Sequence, residues 1–376
     1  MPVRSGASLA VITVLLLSAC ATAPSPPGPT DLRGSQAQAT DASVALVTPE
    51  PTAAATVGAW TGAPLPAQTT PPTTKPTTTP TARPTTGPKA TPKPTIAPVP
   101  IPPLSACPIF PSSNVWNKRV DGLPVASNSD TMIKAIGLGS SLHPDFSAAG
   151  GYGIPFNLVG TATGRSKVVF DYADESDAGP YPIPAKPKVE GGSDRHILMI
   201  DTNACRLYEL FAAAKVGSSW TAGSGAIWDL KSNALRPDGW TSGDAAGLPI
   251  FPGLVRYAEV AAGEIRHAIR FTAASTCNGY IYPARHKAGS GLCTTKPPMG
   301  LRVRLKASVD ISGYGPQSRV ILRALQQYGM LLADNGSPWY ITGATDSHWN
   351  DDELHGLGGI KGADFEVVDT TGFVNG

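Results

Sequence analysis

A chain of 376 residues with 30 cations and 28 acids carries a formal charge of only +2. That balance gives no general attraction for nucleic acid or for an anionic membrane. The prolines, 38 in all, are spread unevenly, and their distribution divides the chain.

Arg4 precedes a short apolar run, Leu9 to Ala19, that ends in Leu17-Ser18-Ala19-Cys20. The run is shorter than the roughly twenty residues a membrane-spanning helix needs. This arrangement resembles the lipobox of bacterial lipoprotein signals. The resemblance implies a signal peptide over 1–19, a lipidated Cys20, and a mature protein on the extracellular face of the cytoplasmic membrane. Such anchoring takes more than one acyl chain.

Residues 20–106 form the next segment. Between Ala21 and Ala106 stand 20 of the prolines and 19 threonines, in runs such as Pro71-Pro72-Thr73-Thr74-Lys75-Pro76. Proline lacks a backbone donor, and the run has little apolar surface to offset the entropy of ordering. A disordered, extended stalk is expected. At about 3.1 Å per residue, forty such residues reach on the order of 120 Å.

Residues 107–376 remain for one globular domain, since no second low-complexity break divides them. Arg4 and the stalk, with five cations against three acids, account for more than the chain's whole charge, so the domain is near −1. Four of its residues are cysteines, Cys107, Cys205, Cys277 and Cys293, and none lies in a C-x-x-C pair. Disulfides suit the expected oxidising compartment better than zinc. Of three pairings we favour Cys277 with Cys293 and Cys107 with Cys205, the first closing a Gly- and Ser-rich loop.

Strand patterns recur through the domain. His196 to Ile200 and Cys205 to Phe211 read as a hairpin about Asp201-Thr202-Asn203. Lys167 to Tyr172, Ile265 to Phe271, Tyr280 to Tyr282, Leu301 to Leu305, Trp339 to Thr342 and Phe365 to Val368 read as further strands. Pro316 opens one clear helix with an apolar stripe of Val320, Ile321, Ala324, Leu325 and Tyr328, and Gly329 stops it. A weaker helix spans Met132 to Ile136 and a turn Asp351 to Leu354. The fold class is mainly β, a sandwich or jelly-roll-like single domain with one or two short helices.

Candidate chemistry centres on Trp228 to Arg256, an irregular stretch too aromatic to be unstructured. Trp228 and Trp240 offer flat faces for sugar rings. Asp229, Asp238 and Asp244 offer carboxylates, of which glycoside hydrolysis needs two in different protonation states. On an expected strand from Glu264 to Phe271, His267 shares a face with Ile265, Ile269 and Phe271. The expected catalytic set is Asp229 and Asp244 as acid and base, assisted by His267. Arg270, Arg285, His286 and His196 are expected to bind or orient substrate.

A second pattern sets Arg302, Arg304 and Lys306 on one strand face, which would suit a lyase acting on an acidic glycan. Neither G-x-S-x-G, H-E-x-x-H, a Walker loop nor G-x-G-x-x-G occurs, and no metal or other cofactor is implied. The stretches DAAGLPIFPGLVRYAEVAAGEIRHAIRFT, PPMGLRVRLKASVDIS and ALQQYGMLLADNGSPWYITGA resemble parts of a family of secreted bacterial proteins with no assigned activity. That resemblance implies a secreted domain and no particular reaction. The expected function is a tethered, monomeric glycoside hydrolase whose partner is a polysaccharide or cell-wall glycan. A polysaccharide lyase and a non-catalytic carbohydrate-binding or adhesion module are the alternatives.

Overall fold

The computed structural model describes residues 104–149 and 151–373. Cys20, the signal segment and the stalk up to residue 103 lie outside the described residues. Among these residues thirteen strands run in chain order. They are β1 (His143–Asp145), β2 (Phe156–Val159), β3 (Val168–Phe170), β4 (Ile197–Asp201), β5 (Arg206–Phe211), β6 (Ala214–Val216) and β7 (Ser219–Ala222). Then come β8 (Ser224–Asp229), β9 (Ile269–Ala273), β10 (Arg302–Leu305), β11 (Met330–Asn335), β12 (Tyr340–Thr342) and β13 (Phe365–Val367). Four short helices accompany them: α1 (Ser129–Ile136), α2 (Tyr257–Ala261), α3 (Pro316–Gln327) and α4 (Asp351–Gly356).

The strands form three sheets, ordered β1-β12-β9-β11-β10-β13, β2-β4-β5-β8 and β3-β7-β6. The protein is mainly β. The four-stranded sheet is the middle layer, and β4 shows why. Every residue of Ile197-Leu198-Met199-Ile200-Asp201 is buried, as a continuous apolar run requires when both faces are covered. Leu198 and Ile200 belong to the large core shared with the six-stranded sheet. Ile197 and Met199 pack instead with Val168 of β3 and Ala222 of β7.

The expected hairpin forms as β4 and β5, in antiparallel register from Ile197 opposite Leu210 to Asp201 opposite Arg206. The six-stranded sheet is mixed, because β1 pairs parallel with β12 and β9 parallel with β11. In its core Trp339 is fully buried and stacks on Phe271 at 5.6 Å and Phe365 at 4.9 Å. Its Nε1 donates to the Gly137 carbonyl at 2.7 Å, which meets the need of a buried indole for one acceptor.

Helix α3 ends where the sequence predicts. Gly329 has φ of 63° and donates its N–H to Ala324 O, and a Cβ there would stand 2.2 Å from Val303 O. Only glycine meets both conditions.

Three strand expectations require correction, the first being Tyr280 to Tyr282, where only an isolated bridge from Tyr280 to Met299 forms. The segment Ile265 to Ala268 is not strand, since β9 begins at Ile269 and the Ala268 N–H turns aside to the Trp116 carbonyl. The alternation argument for His267 therefore has no basis. The row Arg302, Arg304 and Lys306 lies on or beside an inner strand, not an open face. Arg302 is buried and donates to the carbonyls of Tyr328, Val115 and Lys118, while Arg304 donates to Glu366 and Leu123 O. Lys306 reaches Ala363 O.

The disulfides join Cys107 to Cys205 and Cys277 to Cys293, with sequence separations of 98 and 16. In the chain-entropy account, loops of those sizes restrain the unfolded chain by about 4.7 and about 3 kcal/mol. Replacing Cys107 and Cys205 together by serine should therefore lower the urea midpoint more than replacing Cys277 and Cys293. Equal losses in the two double variants would contradict the assignment of the longer link as the main staple.

Candidate functional site

The segment from Leu230 to Arg256 contains no strand, so its backbone and its position must be secured by side chains. The middle sheet supplies one clamp. Glu209 of β5 is fully buried and accepts the N–H groups of Ile250 at 2.9 Å and Phe251 at 2.8 Å. Burial raises its pKa, and those two donors oppose the rise. The six-stranded sheet supplies the other clamp. Arg270 of β9 donates through Nε to Asp244 Oδ2 at 3.1 Å and through Nη1 to Thr342 Oγ1 at 2.7 Å. Its Nη2 lies 3.7 Å from Asp334 Oδ2.

His196, just ahead of β4, completes the wall. Its Nε2 meets the Gly243 carbonyl at 2.8 Å and its Nδ1 meets Glu190. A carbonyl only accepts, so Nε2 carries a proton, and the contact of Nδ1 with the Glu190 carboxyl favours the charged ring. Burial opposes that charge, yet the Glu190 hydrogen bond and charge outweigh it and raise the pKa. Ser242 adds an internal tie, accepting Asp244 N at 2.9 Å and donating to Leu248 O at 2.6 Å.

These ties frame a hollow of about 420 Å³, bordered by Tyr172, Glu175, Phe211, Asp244, His286 and Asp334 among others. Asp244 has no exposed side-chain surface, whereas Asp334 is 29 % and Glu175 30 % exposed. Asp334 and Glu175 are therefore the carboxyls a ligand meets. Glu175 is oriented by Thr241 N–H at 2.9 Å, with His286 Nε2 at 4.0 Å. His286 is fixed by Nδ1 donating to Ala245 O at 2.8 Å. Arg236 holds the Glu175 backbone, donating to Glu175 O and Thr241 O, each at 2.8 Å.

Of the residues singled out in the sequence, Asp244, Arg270, His196 and His286 gather here. The others do not. Asp229 ends β8, whose first residue Ser224 borders the hollow; five residue steps of strand separate them, about 16 Å. Asp229 accepts Lys231 N at 2.9 Å and closes a turn, so its pairing with Asp244 is corrected. His267 occupies a separate groove, where its Nε2 lies 2.9 Å from Arg256 Nη2 and 3.2 Å from Glu259 Oε2. It takes no part in the hollow. Trp228 is buried, and the Arg236 guanidinium lies over the rings of both Trp228 and Trp240, at 5.6 and 5.4 Å. Neither tryptophan borders the hollow, where the half-exposed Tyr172 and Phe211 supply aromatic faces. Arg285 is spent on Asp238 at 2.9 Å.

Asp334 and Glu175 had no local signal in the sequence. Asp334 follows an apolar run in β11, and a register shift in the β9 pairing brings it beside Arg270. Among the described residues no three His, Cys, Asp or Glu side chains converge as metal ligands.

Burial pushes Asp244 up to about 7, with the Asp334 charge adding to the rise and Arg270 opposing it. Burial also raises Asp334. Asp244, Asp334, Glu209 and His196 thus all bind protons more tightly in the folded chain. For the three carboxyls that stability is complete below the unfolded carboxylate range and is lost as pH rises through the folded values, whereas for His196 it holds up to the unfolded imidazole value of 6.5 and is lost above it. Glu259 has the opposite sign. Burial would raise it, but Arg256 and His267 hold it at about 2, so its contribution is lost only in strong acid. Unfolding free energy should fall between pH 4.5 and pH 7.5, by at most about 1.4 kcal/mol per unit for each group. Asp244→Asn should flatten that slope; an unaltered slope in a folded Asp244→Asn variant would contradict the assignment.

The chain matches no family model, no curated protein and no solved structure.

Proposed function

We propose that the chain is a membrane-tethered, exported enzyme that hydrolyses a glycosidic bond in the hollow beside the irregular segment. The supporting observation is the presence there of two solvent-reaching carboxyls, Asp334 and Glu175, in unlike surroundings. Hydrolysis of a glycoside needs one carboxyl to deliver a proton and one to remain ionised. Asp334, raised by burial, is the acid that protonates the leaving oxygen. Once it has given up that proton, Arg270 stands at 3.7 Å to stabilise the carboxylate. Glu175, held by Thr241 N–H, is the partner that activates water or attacks the sugar. Tyr172 offers the apolar ring face, and the hollow's size falls within the range of small-ligand sites.

The role first assigned to Asp229 therefore passes to Asp334, while Asp244 becomes a positioning residue that fixes Arg270. The lyase alternative loses the feature that favoured it, because Arg302 and Arg304 donate inward to the fold. A binding module remains the second reading. It is favoured by the extent of hydrogen bonding around Ser242, His196 and Glu209, which builds a rigid pre-formed site.

Reducing-end release from a panel of polysaccharides tests the proposal. Asp334→Asn and Glu175→Gln should each lower kcat by about 10² to 10⁴ with little change in melting temperature. Retention on a polysaccharide with no release by the wild-type protein would replace hydrolysis with the binding-module reading.

A further inference from the structure

A second hollow of about 550 Å³ lies where β1, β12 and α4 meet. His143 opens β1 directly opposite Tyr340 of β12, and the two rings stack at 4.0 Å between centroids with 26° between planes. Asp145 stands two residues further along the same strand and so on the same side of the pleat as His143. Both border the hollow, with the exposed ring of Tyr152 and the helix residues Asp351 and His355.

Two polar groups of this lining, Asp145 and Ser147, stand without side-chain partners among the described residues. No hydrogen bond or ion pair reaches the half-buried Asp145 carboxylate from the described residues. Burial raises its pKa and Glu190 adds to the rise, while His143 and Arg270 oppose it. Arg270 is already engaged by Asp244 and Thr342. The Ser147 hydroxyl oxygen, in the same lining, is buried and has no partner among the described residues. Buried polar atoms left in this state are uncommon and cost free energy until something donates to them. Asp351, by contrast, is used by the fold, accepting Ala148 N at 2.8 Å.

The charge of the lining selects the ligand. Neither this hollow nor the first is bordered by a lysine or arginine, while acids border both. Such walls repel a uronate and favour a neutral or positively charged sugar. A free carboxylate beside stacked rings suits one in particular: a ring with an apolar face and an ammonium group.

We propose that the second hollow is a subsite for an amino-sugar unit bearing a free amine, with the ammonium on Asp145 and the ring among His143, Tyr340 and Tyr152. The subsite deepens the glycan reading of the first hollow and rests on it for the polymer that would pass between them. Asp145 also senses the charges of Glu190 and Arg270, which engage His196 and Asp244 beside the first hollow.

Calorimetric titration of the full chain at pH 6 with a glucosamine tetramer tests this. The tetramer should bind, and the N-acetylated tetramer and tetragalacturonate should bind far more weakly. Asp145→Asn should raise Kd for the glucosamine tetramer by about tenfold or more, as loss of a charge-assisted contact implies. His143→Ala, which removes part of the ring face without touching the carboxylate, should weaken it as well. Equal binding of the acetylated or uronate tetramer, or an unchanged Kd in a folded Asp145→Asn variant, would overturn the proposal. So would equal binding of tetralysine, which would mean that charge alone is recognised. The two readings fail separately. Glycan cleavage without any effect of Asp145 would remove the subsite only, and Asp145-dependent binding without cleavage would remove hydrolysis only.

Discussion

The Asp244–Arg270 ion pair is the constraint on which the arrangement of this domain turns. One partner comes from a segment without strands and the other from an inner strand of the six-stranded sheet, and both are buried. Taking two charges out of water costs more than their attraction commonly returns. That imbalance is visible here, since Asp244 sits near 7 even with a guanidinium in contact. The pair is therefore better understood as a device for placing the chain than as a source of stability. Removing one partner alone is a different matter, because it would strand the other charge in the interior. Glu209 acts from the opposite sheet in the same way, holding the backbone at Ile250 and Phe251. Between these two buried acids an irregular segment acquires a fixed course, and the hollow follows from that course.

Position then divides the acids by role. Asp244 has no exposed surface and works through Arg270; Asp334 and Glu175 reach solvent and can meet a ligand. Both hollows are bordered by acids without lysine or arginine. Polymers rich in carboxylate are poorly matched to such walls, which directs attention to neutral and amino sugars.

Much of the architecture was legible because it is local. Alternation and turn residues located β4 and β5, a helical stripe between Pro316 and Gly329 located α3, and the cysteine spacings favoured the pairing observed. What escaped is non-local. Arg302 belongs to a strand flanked on both sides, so its charge is absorbed by carbonyls contributed by Val115, Lys118 and Tyr328, which no pattern within β10 reveals. Trp228 and Trp240 read as open aromatic faces until Arg236 is seen lying over both. Asp229 and Asp334 are equivalent as letters. A parallel pairing between β9 and β11, distant in sequence, brings Asp334 to Arg270, and the length of β8 carries Asp229 away.

A double-mutant cycle on Asp244→Asn and Arg270→Met, followed by urea unfolding at pH 8 where Asp244 is mostly ionised, addresses the central claim most directly. If the pair holds the segment against the sheet, each single change should be strongly destabilising. The double change should then be milder than their sum by at least about 1 kcal/mol. Strict additivity would mean that the two residues act independently, and the account of how the hollow is framed would fail.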